Sequence, residues 1–247
     1  MNIYLRRDLF KLKICYAVEF KELIGYQEGI QIQKKAFDFV NKNNIDGILL
    51  LLQHKPVITI GKSGGDENIL VSREELSDRG IELYHTSRGG NITYHGPGQL
   101  VGYPILNLNS FQKDAHLYLR KLENVLINTV RECGINAGIK PKYTGVWAGD
   151  RKIAAIGVGI RKWITKHGFA LNISVNREHF GLIVPCGIRE FGICSMDDFV
   201  EDISFERVLE IIKKNFKEVF QTELIQVQNM DNLYKGSDCI GKKTGMA

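Results

Sequence analysis

The sequence contains no run of about 18 apolar residues of the kind that crosses a bilayer. Its start, MNIYLRRDLFKLKICYAVEF, has neither an uninterrupted apolar stretch nor the small-residue cleavage site of a secretory signal. A cytoplasmic protein with no membrane partner is therefore expected. The five cysteines, Cys15, Cys133, Cys186, Cys194 and Cys239, are odd in number, with no C-x-x-C pair and no Cys/His spacing of the zinc type. Reduced thiols follow, with no metal and no cofactor expected. Basic blocks interleaved with aromatics are also missing, which argues against nucleic acid. The formal charge of +5 suits acidic protein partners instead. Repeats, low-complexity tracts and a Pro/Gly/Ser linker are absent before residue ~225.

What is present is enough for one domain. A chain of 247 residues, 44% of them hydrophobic, can bury a full core. We expect a single catalytic domain over residues 1–225 and a polar, glycine-broken, mobile tail over residues 226–247, with Cys239 in the tail. KLKICYAVEF reads as a strand, and Tyr26 to Val40 spaces Ile30, Ala36, Phe37 and Val40 as a helix does. GILLLL from Gly47 and VITIG from Val57 read as two strands paired with each other across Gln53 to Pro56. Ser72 to Arg79 forms a short helix with Ser72 and Glu75 at capping-box spacing. IELYHTS, NITYH and VGYPILNL are further strands, and Asp114 to Cys133 is a helix. TGVWA and KIAAIGVGI flank a Gly149–Arg151 turn as a hairpin, FALNISV is a strand, and a last helix follows the N-cap Ser204. Strands cluster between helices without strict βαβ alternation, so the fold class is α+β, a mixed or antiparallel sheet flanked by helices.

Three segments carry chemistry. SRGGNITYHGPGQLVGYP, from Ser87 to Pro104, packs five glycines, a guanidinium and an imidazole into eighteen residues. Glycines let the backbone turn sharply and approach a ligand, while Arg88 and His95 offer donors. The alternative is a glycine-rich hairpin with a solvated arginine. In GDRKIAAIGVGI, from Gly149 to Ile160, Lys152 opens an apolar strand with small residues at Ala154, Ala155 and Gly157. Desolvation there could make the lysine an acid/base, whereas most lysines are simply solvated. In LIVPCGI, Cys186 stands between a proline and a glycine, a setting for an exposed nucleophile. An inert buried thiol is the competing reading, and it is favoured for Cys15, Cys133 and Cys194.

Taken in order, RGGNITYHGPGQLVGYP, GVWAGDRKIAAIGV, HGFALNI and PCGI resemble the octanoyl-acyl-carrier-protein:protein octanoyltransferases of lipoate biosynthesis. The resemblance covers residues 16 to 200 and begins with GYQEGIQIQ. It implies the biotin/lipoate protein ligase-like fold and an acyl-enzyme thioester on Cys186, with Lys152 as the proton carrier. It further implies substrate contacts from Arg88, Gly89, Gly90, Asn91, Ile92, Thr93, Tyr94 and His95, from Ala155, Ile156 and Gly157, and from Gly168, Phe169 and Ala170. The implied donor is octanoyl-acyl carrier protein. The implied acceptors are lipoyl domains of 2-oxoacid dehydrogenase acyltransferase subunits and of the glycine cleavage H protein. An ATP-dependent lipoate or biotin ligase of the same fold is the alternative, although an adenylating enzyme has no need of a nucleophilic cysteine. A non-catalytic binding module is a third, weakened by the missing basic-aromatic patch. Cys186 and Lys152 lie 34 positions apart, so spacing alone does not bring them together.

Overall fold

The computed structural model describes residues 12–187 and 190–233, apart from the side chain of Cys186. Its frame is an eight-stranded mixed sheet in the order β11-β1-β2-β6-β10-β9-β8-β7. The strands are β1 (Lys13–Ile24), β2 (Gly47–His54), β6 (Gln99–Leu106), β7 (Gly138–Lys140), β8 (Tyr143–Ala148), β9 (Arg151–Arg161), β10 (Ile164–Asn172) and β11 (Thr222–Val227). A second, three-stranded sheet, β4-β3-β5, is built from β3 (Val57–Ile60), β4 (Glu82–His85) and β5 (Ile92–His95). The helices are α1 (Tyr26–Asn43), α2 (Arg73–Asp78), α3 (Ala115–Glu132), the single turn α4 (Arg177–Phe180) and α5 (Phe205–Phe220).

The apolar run of β2 explains the layering. Every residue from Gly47 to Leu52 is buried, as in a strand covered on both faces. Because side chains alternate, Leu49 and Leu51 join the core beneath α3 and α5, while Ile48, Leu50 and Leu52 join the core beneath α1. β6 repeats the pattern, with Leu100 and Leu106 on the first face and Val101, Tyr103 and Ile105 on the second. Helix ends are set locally. Asp114 accepts from the His116 and Leu117 N–H groups, Ser72 from Glu75 and Ser204 from Arg207, and each such cap contributes about 1 kcal/mol.

Two expectations change. β2 and β3 do not pair with each other, because β1 and β6 already occupy both edges of β2 and Pro56 brings no N–H to a ladder. β3 instead opens the second sheet between β4 and β5. The segment expected to be a tail from Gln226 supplies the last two residues of β11, and beyond it Met230 and Leu233 are buried in the α1-side core. Residues 234–247, with Cys239, lie outside the described residues. Among the described residues, no helix is long and apolar enough to cross a membrane.

Candidate active site

The antiparallel pairing of β6, β10 and β9 brings the sequence motifs together. Gly168 pairs with Gly157 and Ala170 with Ala155, so small residues of β9 and β10 form one patch of sheet, bordered on β6 by Val101, the other partner of Ala170. Over that patch lies the loop carrying Arg88 to Asn91. It is fastened to β9 by the Gly89 N–H, which donates to Val158 O at 3.0 Å. A neighbouring loop holds it from the other side: Lys62 N–H donates to Arg88 O and Ser63 N–H to Gly90 O. A Cβ at Gly157 would stand 2.9 Å from Gly89 O, which is why this close approach takes glycine.

The space between loop and sheet is a cavity of about 310 Å³, the size of a small-ligand site. Arg88, Gly90, Asn91, Ile92, Thr93 and His95 border it from the loop and β5. Lys152, Ala155, Ile156, Gly157, Gly168, Phe169 and Ala170 border it from β9 and β10. Two expected residues do not. Gly89 is spent on the anchor to β9, and Tyr94, on the opposite side of β5 from His95, exchanges a 2.9 Å hydrogen bond with His179 Nδ1 and packs on Phe180. Phe169 borders the cavity while its ring sits over Gly102 in the core. Sequence reading missed Tyr26, Val101, Tyr103, Tyr143, Thr144 and His167, all of which border the same cavity. Of these, only the helix of Tyr26 and the strands of Val101, Tyr103 and Thr144 were readable locally.

Polar groups around the cavity are tied down. Arg88 is buried and donates from Nη2 to Thr59 O at 2.6 Å and to Thr59 Oγ1 at 3.0 Å. His95 Nδ1 lies 2.7 Å from Gln99 Oε1. Gln99 in turn donates to Asn172 Oδ1 at 2.9 Å, and Asn172 donates to Cys194 O. Since Gln99 Oε1 can only accept, His95 carries its proton on Nδ1. His54 Nδ1 donates to Ile24 O, leaving Nε2 to accept from Tyr103 Oη at 2.6 Å. Burial, reinforced by His54 and Arg88, pushes His95 down to about 3. Burial lowers His54 to about 4, and burial with Lys166, Arg88 and Lys62 lowers His167 to about 4.

These three neutral rings make stability acid-sensitive. Unfolded histidines titrate near 6.5, so below that pH the unfolded chain binds protons that the fold excludes, and stability drops as pH falls from 6.5 towards 4. The urea midpoint should decline already between pH 6.5 and 5, above the ordinary carboxylate range. A flat profile over that interval would contradict the buried neutral histidines.

Lys152 is 8% exposed, the second residue of β9, with Nζ 4.8 Å from the centre of the Trp147 ring. Its main chain is bridged to the segment that follows the PCGI motif. Lys152 N–H donates to Gly192 O at 2.9 Å, and Cys194 N–H donates to Lys152 O at 3.0 Å. Phe191 clamps that segment by packing edge-on against Trp147 and Tyr143. Pro185–Gly187 form a 3-10 turn in which Gly187 N–H donates to Val184 O. The turn backbone abuts the cavity rim, since a Cβ at Gly187 would come within 2.7 Å of Asn91 Nδ2. Three other cysteines are in different surroundings. Cys15 and Cys194 are fully buried, and burial raises them to about 12 and about 11; burial also raises Cys133. Among the described residues no group of three or more His, Cys, Asp or Glu side chains could hold a metal ion.

Gly90 has φ +87°, yet a Cβ there would meet only Arg88 Nη1, at 3.4 Å. Gly90→Val should therefore cost about 1–3 kcal/mol through backbone strain rather than collision. Melting temperature should drop by several degrees, whereas the transfer activity that the sequence motifs imply should fall much further, because the strain displaces the loop that roofs the cavity. Equal losses in melting and transfer would indicate a purely structural loop.

Residues 25–217 match the lipoyl protein ligase A/B catalytic domain. The chain is 70% identical over 227 residues to an octanoyltransferase of Clostridium kluyveri, covering 92% of this chain and 97% of that protein. It is 55% identical over 199 residues to an octanoyltransferase of a Thermoanaerobacter species, covering 80% and 87%. Among solved structures, a lipoate-protein ligase A bound with ATP superposes with a TM-score of 0.70 at 17% identity, covering 96% of this chain and 97% of that one. A bi-partite lipoate protein ligase from Thermoplasma acidophilum gives 0.68 at 17%, covering 95% and 94%; both establish shared fold. The chain belongs to the lipoyl protein ligase A/B catalytic domain family. Within that family it stands with the octanoyltransferases: it is an acyltransferase, and its activity is octanoyl transfer in protein lipoylation.

Proposed function

We propose that the donor is octanoyl-acyl carrier protein and that the octanoyl group passes through a thioester on Cys186. The acceptor is a lysine in lipoyl domains of 2-oxoacid dehydrogenase acyltransferase subunits and of the glycine cleavage H protein. The observation that carries this reading is the convergence at one cavity of buried Lys152, the small-residue sheet patch and the turn containing Cys186. Further support comes from the raised, buried Cys15, Cys133 and Cys194, which are poor nucleophiles.

In the first half-reaction the Lys152 amine takes the Cys186 proton and the thiolate attacks the donor's thioester carbonyl. The tetrahedral oxyanion, met by backbone N–H groups, collapses with loss of the pantetheine sulfur, and that sulfur takes the proton from Lys152. The second half-reaction reverses the roles. The acceptor lysine amine attacks the acyl-Cys186 carbonyl, its proton passes to Lys152, and the Cys186 sulfur leaves and is reprotonated. A thioester becomes an amide, a downhill exchange that needs no nucleotide. The residues assigned to hold the acyl group and its thioester are Arg88 to His95, Ala155 to Gly157 and Gly168 to Ala170, including Gly89 and Tyr94 through their support of the loop and β5. A net charge of +5 favours encounter with acidic carrier and lipoyl domains in the cytoplasm.

Intact mass after mixing the protein with octanoyl-acyl carrier protein, without ATP, tests the reading. Gain of one octanoyl group, lost again on adding a lipoyl domain, is expected. Acylation only when ATP and free acid are supplied would replace it with the ligase reading.

A further inference from the structure

The cavity beside Lys152 is not the only hollow on the α1 face. A second cavity of about 290 Å³ lies between α1 and the β9–β10 hairpin, with Ile30 and Phe37 on its apolar side and Lys34, Arg161 and Lys166 at its rim. His167 borders both cavities. We infer that His167 is the end wall of the acyl pocket and limits the length of chain the enzyme accepts. The inference rests on the reading that the acyl group occupies the first cavity with its thioester near Lys152.

Register puts His167 at the correct end. It pairs with Val158, and the Lys152 stem leans along β9 to Gly145, which sits beside Ala154 O, so the amine end and His167 are about four residues, or ~13 Å of strand, apart. An acyl chain that starts at the Lys152 amine and runs over Ala155 and Gly157 is directed at the imidazole, which borders the same cavity. The residue is held at its ring and at its backbone. Nε2 and Ser87 Oγ share a hydrogen bond at 3.2 Å, and the His167 N–H donates to Gln33 Oε1 at 2.8 Å. Two local costs accompany this arrangement. His167 adopts φ +56°, a left-handed conformation that side chains other than glycine adopt at a penalty, and Gln33 Nε2 is buried without a partner among the described residues. Such costs persist where surrounding structure fixes a side chain for a task. With its acidity shifted to about 4, the ring is neutral near pH 7 and tolerates an apolar chain end.

Removing the ring should merge the two cavities. His167→Gly suits φ +56° without strain, and His167→Asn, which also tolerates that conformation, serves as a second variant. Carrier-protein thioesters of hexanoyl, octanoyl, decanoyl, dodecanoyl and tetradecanoyl groups are offered to parent and variants, and acylation is read by intact mass and rate. Each added methylene that finds apolar burial contributes about a factor of four. The ratio of kcat/KM for decanoyl over octanoyl should then rise at least about tenfold in His167→Gly, with dodecanoyl becoming a substrate and His167→Asn in between. Refilling the second cavity by Phe37→Trp in the His167→Gly background should restore the parental cutoff, which general loosening of the fold would not do. An unchanged chain-length profile in both variants, with octanoylation intact in the parent, overturns the end wall alone. A parent that no acyl thioester modifies overturns the acyl-enzyme reading and the end wall with it.

Discussion

Cys186→Ser is expected to fold as the parent does and to lose octanoyl transfer by roughly three orders of magnitude or more, the scale on which deletion of a nucleophile acts in other covalent enzymes. Oxygen replaces sulfur with little change in volume, so packing around the Pro185–Gly187 turn is spared. The hydroxyl, however, ionises far less readily than a thiol near neutral pH and attacks a thioester poorly. The complementary experiment changes Cys15, Cys133, Cys194 and Cys239 together. Stability should suffer, because Cys15 and Cys194 are fully buried and Cys133 nearly so, while the acyl adduct should remain. Mapping the trapped thioester to any other cysteine, or finding full transfer in Cys186→Ser, would remove Cys186 from the mechanism.

Lys152→Ala is the second large effect, with an expected loss of about 10²- to 10⁴-fold in transfer, the range of a general acid/base. Alkylation of Cys186 should also require higher pH than in the parent, since the group that takes its proton is gone. Lys152 contributes packing as well, its amine lying over Trp147 and its aliphatic stem beside Gly145. Lys152→Met, which keeps that stem, separates the two contributions: it should recover the melting temperature lost in Lys152→Ala and none of the transfer. Unchanged alkylation and transfer in both variants would leave Lys152 a structural residue.

Elements of the fold that depend on neighbours in sequence were readable. Ser72 and Ser204 announced their helices because a cap bonds to an N–H group three residues away, and the helix after Asp114 was readable from its apolar spacing. The Gly149–Asp150 hairpin was readable because glycine takes the positive φ of +59°. Pairing across the sheet was not readable. GILLLL and VITIG look like hairpin partners until the edges of β2 are seen to be taken by β1 and β6, a competition no local window contains. β11 was missed for a related reason: Thr222–Val227 is short and half exposed, and only its parallel register with β1 makes it a strand.

The site divides in the same way. Glycines and the Lys152 strand were conspicuous because their composition departs from ordinary packing. Tyr26, Tyr103 and His167 were not, since an aromatic or imidazole within a helix or strand carries no local mark of facing a hollow. Alternation along β5 could have warned that Tyr94 and His95 face opposite ways, which the glycine-rich context of the motif obscured.

The union of β1 with β11 links the two ends of the described chain: Thr222 Oγ1 donates to Lys13 O across 209 positions. During synthesis β1 emerges early and gains β2 soon after, but its outer hydrogen-bonding edge has no β11 to meet until nearly all of the catalytic domain has left the ribosome. Contacts so distant in sequence slow folding, and an open strand edge is a template for another chain. Yield of native enzyme should thus be governed by the interval between making β1 and making β11, an interval in which catalysis plays no part.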